Sequence, residues 1–184
     1  MRRSIFGFLL GLFGCGVASI SPIVTDADLV EEPRLAGTWH DEEGKESAVI
    51  TTTGRGTFDV VYTEESGKVG RFHGRLGRLG PYRVFDLQPQ EPLPTASDTY
   101  RSLVLRAHGV IVMDSIGATM HFRMVNGDSL KASLQRNPTE AAHAMIGQSV
   151  LLTASSPEVR RFLLAFLGRT GALGESVRWR RRAP

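Results

Sequence analysis

The sequence predicts a mainly β fold: an antiparallel barrel of about eight or nine strands with a C-terminal amphipathic helix. Three observations carry that prediction. Apolar and polar side chains alternate with period two through most of residues 34–135, as in Phe58, Val60 and Tyr62 against Asp59, Val61 and Thr63. That is the pattern of strands with one buried and one wet face. Turn signals recur at hairpin spacing: Glu42-Glu43-Gly44, Thr53-Gly54-Arg55-Gly56, Glu65-Ser66-Gly67 and Asn126-Gly127-Asp128. One stretch has a clear helical period, with Val159, Phe162, Leu163, Phe166 and Leu167 following the capping pair Ser155 and Glu158 and ending at Gly168. Twenty glycines suit a small barrel whose strands must bend.

Taken in order, the chain opens on Arg2 and Arg3, then an apolar run from Ile5 to Leu12 that is too short to span a bilayer. That order reads as a signal peptide over residues 1–14. Leu12-Phe13-Gly14-Cys15 resembles a bacterial lipobox, which implies that Cys15 carries a diacylglycerol and becomes the first mature residue. The alternative is cleavage after Val17-Ala18-Ser19 by a general signal peptidase. The first route predicts a lipid-anchored protein of the cell envelope, at the outer membrane or in the periplasm; the second predicts a soluble secreted one. Residues 15–33, with Asp26, Asp28, Glu31 and Glu32, read as a solvated, lipid-anchored linker. Residues 34–168 read as the barrel domain with its helix, and 169–184 as a basic tail.

Within the domain, Gly70, Phe72, Gly74 and Leu76 share one strand face, and Phe85 and Leu87 continue it after the Gly80-Pro81 turn. Gln88 to Thr99, with Pro89, Pro92 and Pro94, reads as a long loop lying as a lid over one end. Leu103 to Leu105 and Val110 to Met113 alternate less and predict deeper burial. Met120, Phe122 and Met124 share a face, and Leu130, Ala132 and Leu134 predict a further strand. Asn137-Pro138-Thr139-Glu140 predicts a short helix start. Val150 to Thr153 predicts a strand, and the helix after it docks either as a plug in a barrel end or on the outer wall.

Gly37-Thr38-Trp39, at the start of the first domain strand, resembles the G-x-W of lipocalins. The resemblance implies a tryptophan packed across the barrel base and an interior that binds a small apolar ligand; a C-terminal helix also fits. The family's T-D-Y has only a loose echo in Ser97-Asp98-Thr99-Tyr100, and no arginine is assignable over Trp39. Arg71 to Leu87 and the tract from Leu151 through the helix also resemble bacterial lipoproteins of unknown function.

The candidate ligand-binding residues are Phe58, Val60, Tyr62, Phe72, Phe85, Met120, Phe122 and Met124, an inward set without a charge. Met120 and Met124 would give a soft lining, and Tyr62 one polar group. The same set describes a packed core, so a ligand-free structural or interaction module of the envelope stands beside the ligand reading. A hydrolase is the third reading, and the sequence argues against an enzyme. Gly127-Asp128-Ser129-Leu130 spells a hydrolase motif but follows a turn signal and lacks a downstream Asp-x-x-His. His40, His73, His108, His121 and His143 have no metal-ligand spacing, and Cys15 is the single cysteine, so no metal or other cofactor is predicted. His73 and His121 fall on wet faces.

Charge narrows the partners. Of 22 basic residues against 19 acidic, Arg2 and Arg3 belong to the leader and Arg178, Arg180, Arg181 and Arg182 to the tail. The remaining 16 leave a mildly acidic domain, which argues against nucleic acid. Arg178-Trp179-Arg180-Arg181-Arg182 reads either as a contact to an anionic membrane or as an unordered end. The membrane, through Cys15 and this tail, is the expected partner.

Overall fold

The computed structural model describes residues 17–90 and 105–182. The leader, Cys15 and most of the expected lid, 91–99, lie outside the described residues. Eleven strands form one sheet system among the described residues. They are β1 Val17–Ser19, β2 Gly37–Asp41, β3 Ser47–Gly54, β4 Thr57–Thr63, β5 Val69–Leu79, β6 Tyr82–Pro89, β7 His108–Ile116, β8 Thr119–Met124, β9 His143–Ile146, β10 Ser149–Leu152 and β11 Val177–Arg181. Two α-helices accompany them, α1 Gly127–Arg136 and α2 Ser156–Leu167.

Eight strands close into an antiparallel barrel. β2 to β8 run as a meander, with Phe85 of β6 opposite Ile111 of β7. β11 then enters between β8 and β2, pairing Trp179 with both Met120 and Asp41. The alternation seen in the sequence sets the faces. One core fills the inside: Leu35, Trp39, Ile50, Phe58, Val60, Leu76, Phe85, Met113, Met120, Phe122 and Trp179. A second core lies on the outer wall, where Val84, Val110 and Val112 meet Val159, Phe162, Leu163 and Phe166 of α2. The helix therefore docks on the wall and not in a barrel end. Its start carries the expected capping box, Ser155 N–H donating to Glu158 Oε2 at 3.0 Å.

Because neighbouring strands alternate in direction, the two barrel ends are chemically distinct. The base holds Leu35, Trp39 and Arg181. The mouth holds Tyr62, Phe72, Leu87, Ile111, Met124 and Val177, all only partly buried. Gly44, Gly56, Gly67 and Gly80 take positive φ in the four tight connections between β2 and β6.

Five expectations need correction. Residues 17–33 are not a solvated linker: β1 bonds to β10 on one side and β7 on the other, and Ile23 and Val24 are buried in the wall core. Gly127–Arg136 is a helix and not a strand, because Asn126 Oδ1 accepts from Ser129 N–H at 3.0 Å and Leu130 and Leu134 stack one turn apart. Asn137 to Glu140 is a turn after that helix rather than a helix start. The basic tail is strand β11, with Trp179 4% exposed inside the barrel. Leu105 is exposed, against the expected burial, while Val110, Val112 and Met113 are buried as expected.

Candidate functional site

The base is organised by Trp39. Leu35 ends a short 3-10 turn, Pro33–Leu35, and its carbonyl accepts from Trp39 Nε1 at 2.9 Å. The Arg181 guanidinium lies 4.5 Å over the indole. Its Nη1 donates to the Ala36 carbonyl at 2.7 Å and its Nη2 to the Arg34 carbonyl. One side chain thus stacks on the ring and holds the carbonyls of the segment that closes the base. Gly37 has φ 143°, and a Cβ there would overlap that guanidinium. Arg181 escaped the sequence reading because it sits in a run of arginines. The usable signal is parity: Val177, Trp179 and Arg181 share the inward face of β11.

All eight candidate ligand-binding residues come together inside the barrel. Phe58, Val60, Phe85, Met120 and Phe122 are each no more than 6% exposed. A ligand-sized void beside them would give their walls water-accessible surface, and they have almost none. Rings fill the space instead: Phe58 meets Phe85 edge-on at 5.8 Å, and Phe122 meets Trp179 at 6.0 Å. Tyr62, Phe72 and Met124 stand apart, because they lie at the mouth and are partly buried.

Polar groups gather near that end. Tyr62 stacks on Trp179 at 6.3 Å and interacts with Glu46, which follows the β2–β3 turn. Burial, and then the Glu46 carboxylate, push the Tyr62 hydroxyl well above its ordinary range. Burial also raises the Glu46 carboxyl; the nearby Tyr62 hydroxyl opposes this, and Asp41, Glu64 and Glu65 add to the rise. Nε1 of Trp179 is buried with no hydrogen-bond acceptor among the described residues. An indole N–H in that position has an unmet bond to offer.

A second polar group lies on the outer wall. Asp86 is 1% exposed, its Oδ1 2.8 Å from His108 Nδ1. Its Oδ2 accepts from the backbone N–H of Ile23 at 2.8 Å and of Val24 at 3.1 Å. His108 Nε2 faces the Gln88 amide at 3.3 Å. The dyad pins residues 23 and 24 to the barrel, with each buried atom given a partner, a structural task. Neither residue stands out in sequence, since the backbone partners of Asp86 lie more than sixty positions away.

His73 pairs with Asp59 at 3.0 Å on the exposed face, as its strand position predicts. Ser129 sits in the first turn of α1, its N–H capped by Asn126. Among the described residues no group of His, Cys, Asp or Glu could hold a metal ion. No described helix is long and apolar enough to cross a membrane. No protein family, no curated protein and no solved structure matches the chain.

Proposed function

We propose that this chain is an exported envelope protein, anchored by a lipid on Cys15, whose barrel binds a small apolar ligand at its mouth. One observation carries the anchoring: Val17–Ser19 is a strand bonded on both edges, and Ser19 is fully buried. Cleavage after Ser19 would delete that strand. Cleavage before Cys15 keeps it, so the fold favours the lipobox of the two routes open in the sequence.

The ligand reading moves from the centre of the barrel to its end. The lower interior is packed, which favours a ligand-free module there. The mouth keeps an apolar ring, Tyr62, Phe72, Leu87, Ile111, Met124 and Val177, with the unmet Trp179 N–H nearby. An apolar molecule carrying a neutral acceptor fits that chemistry, since the raised Glu46 disfavours added negative charge. The Arg181 clamp on Trp39 supports the lipocalin-like reading, while the placement of both helices before the closing strand departs from a helix that follows the barrel.

The test has two readouts on protein purified from membranes. Mass spectrometry of the amino-terminal peptide should find diacylglycerol on Cys15; a free amino terminus at Ile20 would remove the anchor. Displacement of a fluorescent long-chain alcohol should detect the mouth, and Met124→Lys should weaken it with the fold intact. Met120→Lys should instead unfold the barrel, because Met120 is 5% exposed in a packed interior. No displacement from folded wild-type protein leaves the packed envelope module as the better reading.

A further inference from the structure

Of the seven large apolar side chains exposed among the described residues, four belong to one region, where β1, the β9–β10 hairpin and the entry to β7 meet: Ile20, Leu105, Met145 and Ile146, at 41%, 58%, 45% and 58% exposed. Val49, Val69 and Leu164 lie elsewhere. Ile20 N–H bonds to the Leu152 carbonyl of β10, and Met145 and Ile146 pair with Val150 and Ser149. Between them is a concavity of about 300 Å³, with Val17, Ala18, Leu105 and Ile146 in its walls and no carboxylate among its lining residues.

Val17 is the second residue after Cys15. Two residues reach at most about 7 Å. On the anchoring reading, which this inference requires, acyl chains on Cys15 must therefore enter the bilayer beside this concavity. A lipoprotein with a long linker could present any face to the membrane; this one cannot. β1 also pairs with β7 at His108 and Gly109, the mouth end of that strand.

We propose that the face formed by β1, β9, β10 and Leu105 rests on the phospholipid surface, with Ile146 and Leu105 in the headgroup–acyl boundary. Apolar side chains at that depth sit about 5–10 Å into the interface. The barrel mouth then lies on the membrane side of the molecule. β3 stands across the barrel from β7 and faces away, so Val49, 44% exposed there, is an internal control.

The experiment places an environment-sensitive fluorophore at Ile146→Cys or Val49→Cys in the acylated protein, reconstituted in phosphatidylethanolamine–phosphatidylglycerol vesicles. Amino-terminal mass spectrometry of the same samples reports the anchor separately. The label at 146 should shift to the blue and resist iodide quenching several-fold more than the label at 49. Equal quenching at both sites in protein whose Cys15 carries lipid overturns the surface and leaves the anchor standing. An unmodified Cys15 overturns the anchor and, with it, this orientation. Protection at 146 that persists in soluble Cys15→Ser protein and grows with protein concentration assigns the face to a second copy instead. A Leu105→Glu, Ile146→Glu double variant gives a readout without labels: once acylated, it should be stripped from vesicles by mild detergent sooner than wild type.

Discussion

At the scale of single residues, Arg181 does most to join distant parts of the chain. Cation–π stacking on Trp39 contributes about 0.5–2 kcal/mol and each charged hydrogen bond about 1.5–3 kcal/mol when made in a desolvated site. Arg181→Met should therefore lose about 2–4 kcal/mol, and a chain of this size loses about 2–4 °C of Tm per kcal/mol. Arg181→Lys should fall between, since an ammonium lacks the fork that spans two carbonyls. Differential scanning calorimetry reads both, and an unchanged Tm would contradict a stabilising role for the clamp. Glu46 gives a pH test of opposite sense to a salt bridge. Its folded carboxyl is raised above the ordinary 4.5, so the folded state prefers it neutral. That stability is fully present below pH 4.5 and is lost as pH rises through the raised value. Glu46→Gln should melt above wild type at pH 7 and level with it at pH 4; a gap that stays constant across that range would contradict the burial of Glu46.

At the scale of elements, the strands were legible where period two left one reading. The same period placed all eight candidate interior residues on inward faces, because a strand offers only two. Depth was not legible: alternation cannot distinguish Phe58 in a filled barrel from Met124 at its rim. α1 was missed because Leu130 and Leu134 satisfy both a step of two and a step of four, with Ala132 between them. The packed stretch 17–33 was missed because Ile23 and Val24 are its only buried apolar side chains, too few for any period, and their backbone hydrogen bonds go to Asp86. β1 supplies the test at this scale. Ala18 pairs with Leu151 on one side and Gly109 on the other, and proline can be tolerated in a sheet only at an edge. Ala18→Pro should cost about 1–3 kcal/mol from buried groups left unpaired. Hydrogen exchange should quicken across Ala144 to Ile146 while Trp39 and Trp179 fluorescence stays native. Unchanged exchange there would mean the hairpin holds without β1.

At the scale of the whole molecule, two cores share one wall of strands. Val84 and Phe85 are adjacent on β6 yet face opposite ways, one into the wall core and one into the barrel. Loss on the wall should therefore be felt inside. Leu163→Ala, at a fully buried site, should cost about 2–5 kcal/mol. In urea it should move the tryptophan signal of the interior and the circular dichroism of the whole by the same amount. Two separated transitions would divide the chain into independent parts. The clamp at the base has a further consequence, in time rather than in energy. Arg181 reaches a carbonyl 145 residues back along the chain. Bringing such ends together costs about 4 kcal/mol beyond a constant, and pairings this remote form slowly. During synthesis the free edge of β2 must wait for residues near 180 to arrive. Throughout that interval it stays open to any neighbouring strand, so slower barrel closure should lower the yield of correctly folded molecules at unchanged final stability.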